Sequence, residues 1–297
     1  MIKPIKKQNI EINTLYTEDC LITMSNMDDD SIDLTITSPP YDDLRTYNNH
    51  VKGNKTEFNG YSFPFEIIAK ELYRVTKKGG VVVWVVGDAT NKGSETGTSF
   101  RQALFFKECG FDLYDTMIYQ KTGTPFPQKH RYNQTFEYMF VFSKGKPKTF
   151  NPIMKKNVTA GSVRHSRKFR NADGEMVPSF NGKAVKEYGI ENNIWLIKNG
   201  MNKSTKDKIA FEHPAIFPEE LVNKHIITWT EEDDLVYDPF MGSGTTAKSS
   251  ILLNRNWVGS EIDESYSDIC NRRIDGLVKQ VKLYDDYITR NSLDNLV

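Results

Sequence analysis

The sequence predicts an α/β fold, in which helices cover both faces of a sheet. Strand-like and helix-like segments alternate through the first half of the chain. Residues 81–86, Val-Val-Val-Trp-Val-Val, are apolar on both faces, as a strand buried in a parallel sheet must be. The alternation returns near the C-terminus, after a basic stretch of different character.

The first half of the chain contains four predicted strands and two predicted helices. The β-branched run Ile32–Thr37 predicts a strand. Apolar residues at helical spacing predict a helix over Phe65–Val75, ended by a turn at residues 77–80, Lys-Lys-Gly-Gly. The other elements expected here are strands over 81–86, 111–120 and 135–143 and a helix over 99–109.

The second half begins with a change of composition. Residues 144–170 contain nine Lys or Arg and no Asp or Glu. Regular signals return at residues 193–197. The elements expected after this point are a helix over 218–230, a strand at Leu235–Asp238, a helix to about residue 254, a strand over 257–262 and a helix over 264–277. We therefore expect residues 1–145 and 205–297 to form one domain and residues 146–204 to form an inserted region.

Composition and charge exclude several classes of protein. The chain has 39 basic and 39 acidic residues, so any attraction to a polyanion must come from local patches. Its three cysteines are odd in number and far apart, which argues against disulfides and against a cysteine zinc site. The N-terminus lacks the apolar core of a signal peptide, and no apolar run is long enough to span a bilayer. We expect a cytoplasmic protein without membrane association.

A glycine-containing loop at residues 238–246 connects a predicted strand to a predicted helix. Gly242 and Gly244 let a ligand approach the backbone, and the helix start offers free N–H groups. An acidic strand end, with Glu261 and Asp263, follows about 20 residues on, where a carboxylate can accept both ribose hydroxyls. Thr245 stands where a P-loop needs lysine, so the loop suits a nucleoside cofactor without a pyrophosphate.

A second segment, Ser38-Pro39-Pro40-Tyr41, ends the first predicted strand. Two prolines end the sheet ladder and leave an extended backbone whose carbonyls have no partner in the sheet. Ser38 can donate and accept a hydrogen bond, and Tyr41 offers a flat ring. These groups suit a planar heterocycle with an exocyclic amine, although an inert strand-ending turn is the alternative.

Taken jointly, the two segments resemble the DNA amino-methyltransferases that use S-adenosyl-L-methionine (AdoMet), and the resemblance extends over nearly the whole chain. In that family a (D/N/S)-P-P-(Y/F/W) motif forms the catalytic loop, which implies that Ser38, Pro39, Pro40 and Tyr41 are catalytic. The family's FxGxG motif reads Phe-Met-Gly-Ser-Gly at residues 240–244. The catalytic motif precedes the cofactor loop, as in the circularly permuted β group. The implied fold is a Rossmann-like methyltransferase fold with a mixed, mostly parallel seven-stranded sheet.

The resemblance also implies a cofactor site. Residues 16–20 resemble the family's adenine segment, and residues 211–218 resemble the segment that covers the methionine part of AdoMet. Glu261 would hold the ribose, with Asp263 as the second choice. The implied cofactor residues are Asp19, Cys20, His213, Pro214, Phe217, Asp238, Pro239, Phe240, Gly242, Ser243, Gly244, Thr245, Glu261 and Asp263.

The first residue of the catalytic motif bears on the substrate. Serine is typical of the family's N4-cytosine enzymes, whereas Asp or Asn is typical of its N6-adenine enzymes. The C5-cytosine chemistry needs a Pro-Cys nucleophile, and none of the three cysteines follows a proline. Methylation of N4 of a flipped-out cytosine is therefore expected. N6 of adenine, an RNA or protein substrate, and a DNA-binding module without catalysis remain alternatives.

The basic segment is the expected DNA-binding region. Residues 116–170 contain twelve Lys or Arg and one acid, Glu137. Phosphate neutralisation is a natural use of such a segment, and a solvated basic face is the alternative. Double-stranded DNA is the expected partner, and no metal is expected. The resemblance leaves open a cognate restriction endonuclease and the choice between monomer and homodimer. The candidate DNA contacts are His130, Arg131, Arg164, His165, Arg167, Lys168 and Arg170.

Overall fold

The computed structural model describes residues 10–40, 57–58, 61–123, 129–163, 168–178, 183–200 and 202–294. Within these ranges the largest sheet has eight strands. The strands are β1 (Thr14–Tyr16), β2 (Ile32–Thr37), β3 (Thr76–Val86), β4 (Asp112–Lys121), β5 (Phe136–Ser143), β6 (Ile194–Ile197), β7 (Leu235–Asp238) and β8 (Asn256–Ser260).

The sheet is mixed and mostly parallel. Its spatial order is β1-β8-β7-β2-β3-β5-β4-β6. Strand β5 pairs antiparallel with both of its neighbours, and every other pairing in the sheet is parallel. The predicted α/β class and the mostly parallel sheet are confirmed. The sheet has one strand more than the seven that were expected, and β6 forms one of its edges.

Helices cover both faces of the sheet. Val82, Trp84 and Val86 of β3 pack in one core cluster with residues of the second and third helices. Val81, Val83 and Val85, which alternate with them and face the other side, are also buried. The helices are α1 (Cys20–Asn26), α2 (Phe65–Val75), α3 (Thr98–Glu108), α4 (Glu219–Trp229), α5 (Thr245–Leu252) and α6 (Glu264–Asp294), with a 3₁₀ helix at Lys208–Glu212.

The helices form two groups. Helix α1 contacts α2, and α2 contacts α3; α4 contacts α5, and α5 contacts α6. Helices α2 and α4 both contact β3. None of the helices in the described part of the chain is long and apolar enough to cross a bilayer.

The predicted turn at residues 77–80 is wrong, because these residues belong to β3. Strand β3 begins directly after α2, and its pairing with β2 shifts register between Ile32 and Leu34. Gly79, with φ of +79°, takes up this irregularity, and its N–H donates to the Lys144 carbonyl at 2.8 Å. The glycines that indicated a turn therefore form a bulged strand start.

The inserted region is a compact unit of its own over residues 151–193. It contains two antiparallel strand pairs, Met154–Lys156 with Tyr188–Ile190 and Lys168–Arg170 with Met176–Pro178. Its limits are narrower than the expected 146–204, because β6 pairs with β4 in the main sheet. Two further short pairs join Glu57–Phe58 to Tyr61–Ser62 and Thr90–Asn91 to Ser94–Glu95.

Candidate active site

A cavity of about 530 Å³ opens where several parallel strands have their carboxyl ends. Residues 18–20 follow β1, residues 38–40 follow β2, Asp238 ends β7 and Glu261 follows β8, and all of them line the cavity. Carboxyl ends of parallel strands meet at one edge of a sheet, where α/β proteins bind their ligands. The two segments selected from the sequence are therefore brought together across about 200 residues of chain.

Most of the predicted cofactor and catalytic residues line this cavity. Gly244 and Asp263 lie outside the lining. Tyr41 falls outside the described residues, as do Arg164, His165 and Arg167. The lining includes Ser38, Pro39, Pro40, Asp19, Cys20, His213, Pro214, Phe217, Asp238, Pro239, Phe240, Gly242, Ser243, Thr245 and Glu261.

The buried carboxylate of Asp238 joins the two segments. It accepts hydrogen bonds from the Thr37 hydroxyl at 2.7 Å, the Thr246 hydroxyl at 2.6 Å and the Phe240 N–H at 3.0 Å. Thr37 directly precedes Ser38, and Thr246 lies in the first turn of α5. Burial raises the pKa of Asp238 to about 6, although these three hydrogen bonds act in the opposite direction.

The glycine loop has a left-handed backbone at both of its glycines. Gly242 has φ of +52° and Gly244 has φ of +79°. A Cβ at Gly244 would lie 2.5 Å from the Cys270 sulfur, so this glycine serves the packing of α5 against α6. A Cβ at Gly242 would lie 3.2 Å from the His213 ring, beside the cavity.

Glu261 is the buried carboxylate beside this loop. Its Oε2 accepts from the Gly242 N–H at 2.8 Å, and its Oε1 accepts from the Asp263 N–H at 3.0 Å. Burial raises the pKa of Glu261 to about 7. Asp263 instead accepts from the N–H groups of Ser265 and Tyr266 at the start of α6. Glu261 lines the cavity, whereas Asp263 lies outside its lining.

Two further segments complete the predicted cofactor side. Asp19 is the N-cap of α1 and accepts from the Leu21 N–H at 2.8 Å, while Cys20 beside it is buried. On the covering segment, the His213 ring packs edge-to-face on Tyr266 with ring centroids 4.2 Å apart. Phe240 packs edge-to-face on Phe63 at 5.6 Å and on Trp84 of β3 at 6.3 Å, and the second contact joins the glycine loop to the sheet.

A polar group on the far side of the cavity was not predicted from the sequence. Its residues lie at the end of β4, at the start of β5 or after β6, and Lys121 forms an ion pair with Glu137 at 2.5 Å. A signal for it was present, because Glu137 is the one acid among residues 116–170. The missed lining residues on this side are Tyr119, Lys121, Glu137, Asn199, Gly200 and Ser204.

The described DNA candidates are solvent-facing. His130 is exposed, and Arg131 donates to the Thr90 hydroxyl at 3.1 Å and to the Gly93 carbonyl at 2.5 Å. Within the inserted unit, Lys168 and Arg170 are exposed on one strand. Arg170 also donates to the Gly174 carbonyl at 3.1 Å.

Comparison with known proteins identifies the family. Residues 32–272 match the family model of the N6/N4 DNA methylases, which covers most of the chain. The chain belongs to this family. It is 59% identical over 251 residues to the orphan methyltransferase M.BamHII of Bacillus amyloliquefaciens, a match covering 84% of this chain and 91% of that protein.

Solved structures show that the fold is that of DNA methyltransferases. The PvuII DNA methyltransferase (cytosine-N4-specific) has a TM-score of 0.60 and 23% identity, over 90% of this chain and 94% of that one. M1.HpyAVI in its SAM complex has a TM-score of 0.53 and 21% identity, over 88% of this chain and 98% of that one. The expected methyltransferase fold is confirmed, and the protein is a DNA methyltransferase whose substrate is DNA.

The raised pKa of Asp238 predicts a pH dependence of stability. Between about pH 4, the usual pKa of aspartate, and pH 6 the Asp238 carboxyl is more protonated in the folded protein than in the unfolded chain. The free energy of unfolding contributed by Asp238 therefore falls as the pH rises through this interval, by roughly 3 kcal/mol in total. Asp238→Asn should lack this contribution while Glu261 still titrates.

Urea unfolding of the wild type and of Asp238→Asn between pH 4 and pH 7.5 measures the contribution of Asp238 to the free energy of unfolding. The wild type minus Asp238→Asn difference in unfolding free energy should decrease with rising pH. A constant difference would show that Asp238 is not a buried, destabilised carboxylate.

Proposed function

We propose that this DNA methylase transfers a methyl group from AdoMet to the exocyclic N4 amine of a cytosine flipped out of double-stranded DNA. The observation that carries the proposal is that residues 38–40 line the same cavity as the glycine loop. Asp238 holds Ser38 and the loop at a fixed separation through Thr37 and Thr246. The cavity therefore has room for a methyl donor and an acceptor amine side by side.

The chemistry of the lining suits AdoMet. Four acids lie on the side of the cavity nearest the glycine loop: Glu18, Asp19, Asp238 and Glu261. Among the described lining residues, Lys121 on the far side is the one Lys or Arg. Because AdoMet carries a sulfonium and an ammonium group, this negative half favours it electrostatically. The SAM complex of M1.HpyAVI, which shares the fold, is consistent with the same donor.

The residues that would hold AdoMet are those of the cavity's acidic half. Asp19 and Cys20 address the adenine, Glu261 the ribose, and the segment with His213, Pro214 and Phe217 covers the methionine part. When bound, AdoMet would supply a methyl group that an amine nitrogen can take from the sulfonium sulfur, which leaves as a neutral thioether.

The chain's own contribution lies in Ser38 and the backbone after it. The Ser38 hydroxyl and the Pro39 carbonyl accept the two hydrogens of the cytosine amine, which favours a tetrahedral nitrogen with its lone pair directed at the methyl group. No covalent enzyme intermediate and no strong base are needed, since the amine loses its proton after methyl transfer. Positioning and fixed dipoles supply most of the rate.

The expected N4 specificity rests on serine at position 38. Adenine N6 is the second candidate, because the family model that the chain matches includes enzymes for both amines. The order of the two motifs, with Ser38 before the glycine loop, supports the permuted β group.

Ser38→Ala should lower kcat for methylation by about 100-fold or more, the magnitude of losing one fixed hydrogen-bond partner in an active site. AdoMet affinity should change little, because Ser38 faces the amine. Methyl incorporation from labelled AdoMet and calorimetric AdoMet titration measure the two effects. Ser25→Ala, at an exposed position of α1, is the matched control. Wild-type kcat in Ser38→Ala would refute the catalytic assignment.

The inserted unit, residues 151–193, is the proposed DNA-reading region. Replacing exposed Lys168 and Arg170 with alanine should weaken DNA binding and reduce the slope of log K against log salt by up to about 2. Lys70→Ala with Lys107→Ala removes the same charge from α2 and α3 and should leave the slope unchanged. Fluorescence anisotropy at several salt concentrations measures both. An unchanged slope in Lys168→Ala/Arg170→Ala would place the DNA contact elsewhere.

A further inference from the structure

We propose that Lys121 recognises the ring edge of the flipped base by donating a hydrogen bond to cytosine O2, and that Glu137 positions the Lys121 ammonium group. The inference rests on the proposed function, since it takes cytosine as the target. It assigns a role in substrate specificity to the polar group on the far side of the cavity.

The sheet brings Lys121 and Glu137 to the same edge as Ser38. Strand β4 ends at Lys121, and antiparallel β5 begins at Phe136, so Glu137 lies beside the end of β4. In the register of the two strands Tyr119 is opposite Glu137. The Lys121 ammonium lies 2.5 Å from the Glu137 carboxylate, and both residues line the cavity.

The order of strands places the Ser38 segment between the two halves of the cavity. Strand β2, which leads to Ser38, has β7 and β8 on one side, and these carry Asp238 and lead to Glu261. On its other side lie β3, then β5 and β4 with Glu137 and Lys121. Neighbouring strands are about 4.8 Å apart, so β5, with Glu137, is roughly 10 Å from β2, and β4, with Lys121, is roughly 14 Å from it. A base whose amine meets Ser38 therefore directs the rest of its pyrimidine edge toward the Lys121–Glu137 pair.

The ion pair is partly withdrawn from water. The Glu137 side chain is 11% exposed and the Lys121 side chain 22% exposed. Holding two charges there costs desolvation free energy that the same pair on an open surface would avoid. A lysine ammonium has three N–H donors, and the contact with Glu137 requires only one. The Tyr119 ring, 5.9 Å from the ammonium, lies alongside.

Cytosine presents the complementary edge. With its N4 amine at Ser38 and Pro39, the adjoining ring edge carries N3 and then the O2 carbonyl, both acceptors. Adenine with its N6 amine in the same place carries N1 and then a C–H group. A donor located to reach O2 finds an oxygen in cytosine and no acceptor in adenine. Lys121 thus favours cytosine at the step of base binding, with little effect on the methyl transfer itself.

A chemical double-mutant cycle tests the contact. The substrates are duplexes carrying the mapped methylation site with either cytosine or 2-thiocytosine at the target position, since sulfur is a weak acceptor. Wild-type kcat/KM should fall about 10-fold with 2-thiocytosine. Lys121→Met should lower kcat/KM for cytosine roughly 10- to 100-fold, mainly through KM, and should show no further loss with 2-thiocytosine.

Two variants serve as controls. Lys77→Met removes a lysine ion pair of similar length, 2.6 Å to buried Asp33, that is not part of the cavity lining, and should retain wild-type sensitivity to 2-thiocytosine. Lys121→Gln keeps a donor and should recover part of the lost kcat/KM. If Lys121→Met fails to bind AdoMet and so is misfolded, the cycle is completed with Lys121→Gln, which should show a reduced loss with 2-thiocytosine.

Equal sensitivity to 2-thiocytosine in wild type and in the Lys121 variants would overturn the proposal. That result would leave an ion pair that joins β4 to β5, or a phosphate contact, as the role of Lys121. A failure of the proposed function has a different signature, because the wild type would then methylate no cytosine in any duplex.

Discussion

The buried carboxylate of Asp238 is the constraint on which the site depends. It lies at the end of β7 and accepts hydrogen bonds from Thr37 on β2 and from Thr246 on α5. An unpaired carboxylate at this depth would cost several kcal/mol, so both partners must be in place for the fold to tolerate it. The hydrogen bonds that satisfy the Asp238 carboxylate also set the separation between Ser38 and the glycine loop.

A second network holds the loop from the other side. Arg273 of α6, whose side chain is 2% exposed, donates to the Ser243 carbonyl at 2.8 Å and pairs with Asp207 and Glu219. Lys248 of α5 contacts the same two carboxylates at 2.8 Å. Two cations and two anions thus connect α4, α5 and α6 with the chain just before the covering segment. Hydrogen bonds therefore hold the glycine loop from both directions.

Much of the fold could be predicted because it depends on local pattern. Apolar β-branched runs and helical spacing located the strands β2, β3 and β7 and the helices α2 to α5 within a few residues. Strand β1 and helix α1 were not predicted as elements, because three and seven residues carry little periodicity. The lysines and glycines at 77–80 indicated a turn, whereas they continue β3, and Gly79 and Gly80 exchange backbone hydrogen bonds with Lys144. Tertiary pairing overrode the local preference there.

The candidate site was predictable where a motif is contiguous and unpredictable where it depends on register. Ser38 and the glycine loop are each read from a few adjacent residues. Lys121 and Glu137 are 16 positions apart, and only the antiparallel pairing of β4 with β5 brings them together. Gly244 matched the loop motif, yet the contact that leaves no room for a side chain there is with the Cys270 sulfur on α6. Long-range packing of this kind leaves no short sequence pattern.

Local charge, rather than net charge, gives the molecule its chemistry. The chain has zero net charge, yet one half of the cavity is acidic and residues 144–170 are basic.

The most direct test of the central claim is mass spectrometry of the nucleosides from duplex DNA incubated with the protein and isotopically labelled AdoMet. We expect label in N4-methylcytosine. Label in N6-methyladenine alone would contradict the assignment made from Ser38, and absence of labelled nucleosides across varied DNA would contradict methyl transfer to DNA.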